Sequence, residues 1–343
     1  QIVRAKQTCH GGKMNKINLA ILGLGRIGKI HAENIISLNE CNLKIIIDPI
    51  SDSDNNFNDL GVKQSKHFDD LLNESDIDGV IICSPSKHHV SQIKNLSGLT
   101  KNIFCEKPLG LTIEEILSVK SLVAKKNLNL HIGFNRRYDP DFFELKRQIS
   151  NGEIGDLHMV KITSRDPAPP PISYIKKSGG IFLDMTIHDF DMVKYLSGSE
   201  ISELYVKGGC YIDPEIEKAN DVDTAIINMS LKNGVLATIN NSRQAVYGYD
   251  QRIEVLGSKG ILKVENKLLN KVVKGTKEGF ISSNPQNFFI DRYEQSYKKE
   301  LMNFVQSIRG DLVDHADADD GLHALKAGLA ANNSLLNNAP FLV

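Results

Sequence analysis

The sequence predicts two domains: an α/β half built on a doubly wound parallel sheet, then an α+β half with a large, mostly antiparallel open sheet. Three observations carry that prediction. A chain of 343 residues is too long for one comfortable core. Near the amino end an apolar strand runs into a glycine-rich turn and a helical pattern, and β-rich runs then alternate with helical segments as far as residue 132. Beyond Asp139-Pro140 the pattern becomes successive strands with little helix between them.

Residues 1–13 lack both the apolar core of a signal peptide and helical periodicity, so they read as an upstream extension or disordered tail, with Met14 a candidate start. The first domain is then expected over 14–134 and the second over 135–343. Ile17–Leu22 reads as a strand leading into Gly23-Leu24-Gly25-Arg26-Ile27-Gly28 and a helix through Ile35. In such a turn the first glycine allows the tight bend and the second lets the backbone approach a pyrophosphate. The third lets the helix lie close to the strand. A second strand, Leu43–Ile47, ends in Asp48, roughly 20 residues beyond the glycines, where the ribose-binding acid of a dinucleotide site belongs. Gly79–Cys83, Asn102–Cys105 and Leu128–Ile132 read as further buried strands, with helices at His89–Leu96 and Ile113–Ala124 between them. This is the Rossmann pattern, and Gly23, Gly25, Arg26, Ile27, Gly28 and Asp48 are its candidate dinucleotide contacts. Asp48 favours NAD over NADP: like charges about 4 Å apart repel by about 4 kcal/mol at an effective dielectric of about 20, and no arginine follows to accept a 2′-phosphate.

Ligands of a doubly wound sheet gather at the carboxyl ends of its strands. Two such ends stand out. Ser84-Pro85 breaks one strand, and its turn, with His89 behind it, is a candidate neighbour of the nicotinamide; His88 reads as plain solvent exposure. Cys105-Glu106-Lys107-Pro108 ends the next, which aims Lys107 into the crevice with Glu106 beside the cofactor.

In the second half, a helix at Asp141–Ile149 precedes a strand at Leu157–Ser164 and the stiff Pro167–Pro171 segment. Strands follow at Leu204–Tyr211, Thr224–Leu231, Val235–Asn240, Arg252–Leu256 and Gly260–Val264, and helices at Tyr293–Ile308 and Gly321–Leu335 close the chain. Between them, Gly179-Gly180 opens a stretch suited to a helix through Met192. One continuous helix would set Asp184 and His188 a turn apart on one face. An imidazole held by a carboxylate is a candidate proton acceptor, and equally a buried hydrogen-bonded pair without chemistry. The acids of Asp314–Asp320 lack the spacing of a calcium loop and read as a helix cap, so no metal is expected.

Gly23–Gly28, Glu106-Lys107-Pro108, Gly133-Phe134-Asn135-Arg136-Arg137-Tyr138-Asp139 and Asp184-x-x-x-His188 occur in that order, and together they resemble the glucose–fructose oxidoreductase/inositol dehydrogenase/MocA (Gfo/Idh/MocA) family of nicotinamide-dependent oxidoreductases. Ser164-Arg165-Asp166-Pro167-Ala168-Pro169, Asp184–Asp191 and Tyr247-Gly248-Tyr249-Asp250-Gln251-Arg252 bring the resemblance nearest to the inositol 2-dehydrogenases within it. Asn135 departs from the apolar residue frequent at that place. The resemblance implies NAD-dependent oxidation of a cyclitol hydroxyl, with His188 as base, Asp184 orienting it and Lys107 donating to the reacting oxygen. It implies that Asp166 accepts hydrogen bonds from substrate hydroxyls, with Arg136, Tyr247 and Tyr249 as further wall candidates. It also implies a homo-oligomer, dimer or tetramer, formed through the open sheet. The favoured conversion is myo-inositol to 2-keto-myo-inositol; scyllo-inositol or another sugar or polyol is the alternative, and a non-catalytic NAD-binding sensor a further one.

Composition is ordinary for a soluble globular protein, at 41% hydrophobic and 24% charged residues. A net charge of −1 provides no field to draw in nucleic acid or an anionic membrane. Cys9, Cys41, Cys83, Cys105 and Cys210 are scattered and form no Cys-x-x-Cys pair, which points to a reducing compartment and the cytoplasm.

Overall fold

The structure is a computed structural model that describes residues 15–50 and 55–343; the expected extension at residues 1–13 and the candidate start Met14 lie outside the described residues. The first half runs β1 (Ile17–Leu22), α1 (Arg26–Ser37), β2 (Cys41–Ile47), α2 (Asn55–Asn58), β3 (Lys63–Ser65) and α3 (Phe68–Leu72). It continues through β4 (Gly79–Ile82), α4 (His89–Leu96), β5 (Asn102–Glu106), α5 (Ile113–Lys126) and β6 (Asn129–Gly133). The six strands pair in parallel in the order β3-β2-β1-β4-β5-β6. The order reverses between β1 and β4, so the crevice for a ligand opens where those strands end. Their central residues are buried on both faces, which is why they read as unbroken apolar runs. β3 escaped the sequence reading because Lys63–Ser65 is short and polar.

The second half runs α6 (Pro140–Ser150), β7 (Leu157–Arg165), α7 (Ile172–Ser178), α8 (Ile181–Asp184), α9 (Ile187–Ser197), β8 (Ile201–Gly209) and α10 (Pro214–Lys218). Next come β9 (Thr224–Leu231), β10 (Leu236–Ser242), β11 (Asp250–Gly257), β12 (Gly260–Val264) and an exposed hairpin, β13 (Val273–Thr276) with β14 (Gly279–Ser282). The long helices α11 (Phe289–Ile308) and α12 (Ala318–Asn337) and the edge strand β15 (Phe341–Leu342) complete it. Seven strands form one sheet in the order β12-β11-β7-β10-β9-β8-β15; β7 and β10 run parallel and every other pair antiparallel. One face buries Val160, Ile162, Ile227, Ile239, Ile253 and Val255 against Phe182, Phe190 and Val193 of α8 and α9 and Ala327, Ala330 and Ala331 of α12. The other face leaves Met159, Ile226, Leu236, Leu256 and Ile261 exposed.

Both closing helices return to the first sheet. Leu301, Phe304 and Val305 of α11 pack with Leu19, Ile21, Ile46, Phe104 and Ile35 on one face. Ala318, Ala324 and Leu325 of α12 pack with Val80, Ile82, Ile103 and Ile116 on the other. Asp317 caps α12, accepting from the Asp319 and Asp320 amides while Asp320 returns a bond to the Asp317 amide, so these acids act as the expected cap.

The single helix expected after Gly179-Gly180 is a correction: the chain breaks into α8 and α9. The Ile181 carbonyl accepts from the amides of Met185 and Thr186 and from the Thr186 hydroxyl, which ends the α8 ladder. Thr186 is buried, and its hydroxyl lies 2.6 Å from Asn241 Oδ1 of β10. A tertiary hydrogen bond thus overrides a local helical preference.

Candidate active site

Each glycine of the first turn has its own steric reason. Gly23 has φ +93°, and a Cβ there would stand 2.7 Å from the Ser84 amide nitrogen, which shows how closely the Ser84-Pro85 turn approaches the loop. A Cβ on Gly28 would meet the Gly23 carbonyl oxygen at 2.0 Å, so α1 lies against the strand only because nothing stands there. A Cβ on Gly25 would meet nothing within 4 Å. Gly25 also forms the start of α1 without a side-chain cap, leaving amides free toward that space. Asp48 accepts the Leu24 amide at 2.6 Å and the Ile50 amide at 2.8 Å, which fixes its carboxylate beside the loop. An open cradle at an uncapped helix start, with an acid at the end of the next strand, fits NAD. Arg26 stands exposed over the Phe288 and Phe289 rings, while Ile27 turns toward the core of the second half.

Lys107 and the second half meet across the crevice. Lys107 Nζ donates to the Asp184 carbonyl oxygen at 2.8 Å and lies 3.8 Å from Asp184 Oδ1. The Tyr174 hydroxyl donates to the same Oδ1 at 2.8 Å, and Arg243 stands 3.5 Å from Oδ2. His188 lies edge-on to Phe134, and its buried Nδ1 has no partner among the described residues. Burial pushes its imidazole well below the usual histidine range, and the charges of Lys107 and Arg136 add to this. A neutral imidazole can accept a proton. The expected Asp184–His188 hydrogen bond is not made, because the helix break turns the carboxylate toward Tyr174, Lys107 and Arg243 instead.

Asp166 follows β7, with its amide on the Ser242 carbonyl and its own carbonyl on the Ala245 amide. Burial, with Asp184 and Asp189 nearby, pushes its carboxyl up to about 6 against the opposing charges of Arg243 and Arg136. Tyr249 is buried edge-on to Tyr293, with Arg136 and Asp166 close enough to act on its hydroxyl.

Four expected site residues have polar groups committed to protein partners. Arg136 is buried and bonded to Asp189 and to Ser164 Oγ, with its charge acting on His188 and Asp166. Tyr247 gives its hydroxyl to Asp250 at 2.6 Å and accepts from Arg165 at 2.9 Å; Arg165 alternates with the inward Ser164, which sets this group on the open face of the sheet. His89 is buried with its ring nitrogens 2.8 Å from the Ser84 and Pro108 carbonyls, tying together the ends of β4 and β5. Glu106 turns inward to His31 Nε2 at 2.9 Å, in a buried group with Glu300. Burial, with the Glu106 charge adding to it, pushes the Glu300 carboxyl well above the usual carboxylate range.

Sequence reading missed Tyr174, Asp189 and Arg243, and also Asp221, whose Oδ1 accepts the Ile181 amide at 3.0 Å at the start of α8. The proline run before Tyr174 and the Ser242-Arg243 end of β10 were visible, but neither motif says what its side chains meet.

Two family models match: the oxidoreductase family with NAD-binding Rossmann fold over residues 17–134, and the GFO/IDH/MocA C-terminal domain over 142–263. The chain is 42% identical to a myo-inositol 2-dehydrogenase of Thermotoga maritima, across 93% of this chain and 96% of that one. It is 38% identical to an inositol 2-dehydrogenase of Rhizobium meliloti, across 93% and 97%. The crystal structure of a scyllo-inositol dehydrogenase from Lactobacillus casei with bound NAD(H) and scyllo-inositol superposes with a TM-score of 0.88 at 34% identity, covering 96% of this chain and 99% of that one. With the cradle, the acid and the facing lysine and histidine in place, this chain belongs to the GFO/IDH/MocA family of NAD-binding oxidoreductases and is most like its inositol 2-dehydrogenases.

Proposed function

We propose that the protein oxidises a secondary hydroxyl of a cyclitol with NAD, converting myo-inositol to 2-keto-myo-inositol. The observation that carries this reading is the meeting of Lys107 from one half with Asp184 and His188 from the other at the crevice mouth. Bound NAD supplies the hydride acceptor. His188, held neutral, takes the hydroxyl proton at an imidazole nitrogen. The Lys107 ammonium, anchored on the Asp184 carbonyl, donates to the reacting oxygen and stabilises the negative charge that develops there. Asp184 and Asp166 accept hydrogen bonds from neighbouring hydroxyls, which suits an uncharged polyol better than a hydroxy acid. Tyr249 forms part of the substrate wall, and the Ser84-Pro85 turn borders the cofactor.

The assay is NADH formation over a panel of myo-inositol, scyllo-inositol, other inositol isomers and aldoses. Preference for scyllo-inositol would favour the second reading, which the L. casei relative motivates. NAD binding without turnover on any of them would favour a sensor and end the enzymatic reading. The exposed apolar residues of the second sheet support pairing with another copy of the chain, which sedimentation equilibrium measures as a dimer or tetramer. Among the described residues no helix is long and apolar enough to cross a membrane. The free thiols of Cys41, Cys83, Cys105 and Cys210 support a reducing, cytoplasmic setting, which fractionation would test.

A further inference from the structure

We infer that Thr186 and Asn241 are positioning residues for Lys107: together they hold open the break between α8 and α9, and the break frees the Asp184 carbonyl oxygen on which the Lys107 ammonium rests. The task assigned to Lys107 rests on the cyclitol reading above; the arrangement that places it does not.

In an unbroken helix the Asp184 carbonyl would accept the amide of His188, four residues on. Here the His188 amide turns to the Met185 carbonyl at 3.4 Å, and Lys107 Nζ takes the Asp184 carbonyl at 2.8 Å. A backbone acceptor is thus withdrawn from the helix ladder and given to the crevice. The exchange serves the site twice. It anchors the end of a long, flexible side chain from the other half, and it leaves the Asp184 carboxylate with the Tyr174 hydroxyl rather than with His188.

The break is held by a run of polar groups in which each partner leaves the next no choice. Arg136 pairs with Asp189 Oδ1. Asn241 Nδ2 donates to Asp189 Oδ2 at 2.9 Å and to the Ser164 carbonyl at 3.3 Å. A carbonyl can only accept, so these bonds orient the amide and leave its Oδ1 facing Thr186. The Thr186 hydroxyl must therefore donate, and it does so at 2.6 Å, with the Ile181 carbonyl a second acceptor at 3.2 Å. Thr186, Asp189 and Asn241 are all fully buried, so no solvent reaches them to replace a lost partner. An unpaired buried acceptor costs more than one further helical hydrogen bond returns, and the helix stays broken.

The test compares the full-length wild type with Thr186→Val, Thr186→Ala and Thr186→Ser, all with NAD bound. Crystal structures and amide hydrogen exchange at His188 need no turnover. Thr186→Val keeps the volume and removes the hydroxyl. It is expected to close the helix, with the His188 amide on the Asp184 carbonyl, its exchange slowed about tenfold or more, and Lys107 Nζ displaced. The kcat for myo-inositol should fall about tenfold or more, with Kd for NAD unchanged. Thr186→Ser should restore the Lys107 contact and most of kcat. A role in packing alone would give the opposite order, since serine loses a methyl and valine loses none. Lys107 still on the Asp184 carbonyl in folded Thr186→Val overturns the inference, as does wild-type kcat after that contact is lost. If Thr186→Val does not fold, Thr186→Ala is judged by the same results. Absence of wild-type turnover on every cyclitol would defeat the functional reading alone, because the structures and the exchange rates still judge Thr186.

Discussion

Replacing Gly25 or Gly28 by alanine separates cofactor binding from folding. At Gly28 the new methyl would stand 2.0 Å from the Gly23 carbonyl oxygen, more than an ångström inside ordinary contact, and 3.0 Å from its carbon. That carbonyl belongs to a backbone turn anchored by the Gly23 amide on the Ile47 carbonyl, so it cannot swing away. The helix must lift from the strand instead. Overpacking of this kind costs about 1–3 kcal/mol, and the lift also disperses the amides that would hold a pyrophosphate. Gly28→Ala should therefore lower Tm by a few degrees and abolish NAD binding together. Gly25→Ala is the contrast. Its φ of −68° suits any residue, and its Cβ meets nothing of the protein within 4 Å. Tm without cofactor should stay at the wild-type value. The methyl occupies space that only the dinucleotide uses, so Kd for NAD should rise at least tenfold, about 1.4 kcal/mol. Isothermal titration calorimetry and thermal melts read the two effects separately. Wild-type NAD affinity in Gly25→Ala would refute the assignment of the cradle.

Other expected outcomes are equally specific. His188→Ala should lower kcat by ~10²–10⁴-fold with NAD affinity nearly unchanged, and Lys107→Met by at least as much; full activity in either removes that residue from the chemistry. Asp48→Ala should erode the preference for NAD over NADP, read as the ratio of kcat/KM values; an unchanged ratio means the acid does not touch the ribose. Burial lowers His131 to about 3 and His323 to about 4, with His315 and Lys194 respectively adding to the effect. The unfolded chain therefore binds more protons than the folded one below about pH 6.5. Stability should be full above that pH and fall as pH drops toward those values, by about 1.4 kcal/mol per unit for each histidine in its window. His323→Gln should flatten that slope in urea titrations, and an unchanged slope would contradict the sign.

Much of the first sheet was legible in the sequence because its signals are local. Apolar runs mark strands buried on both faces, and three glycines mark a turn whose steric needs are met within a few residues and the neighbouring strand. The pairing of Lys107 with the second half was legible only as a motif, since 77 residues separate it from Asp184. What escaped was set by distant partners. The break between α8 and α9 depends on Thr186 meeting Asn241, 55 residues later. The pairing of Arg136 with Asp189 was not visible in its motif either. Tyr247 and Tyr249 lie two apart in sequence, and alternation along the chain is a weak guide in a loop, so their opposite fates needed coordinates.

The return of α11 and α12 to the first sheet has a bearing on biogenesis. Neither face of the nucleotide-binding sheet is sealed until Phe304 and Leu325 arrive, so a ribosome that has delivered every strand of that sheet still holds an unfinished product. Both halves should become protease-resistant in one step, late in synthesis. A fragment ending at residue 134 should aggregate rather than bind nucleotide, because it leaves two greasy flanks bare.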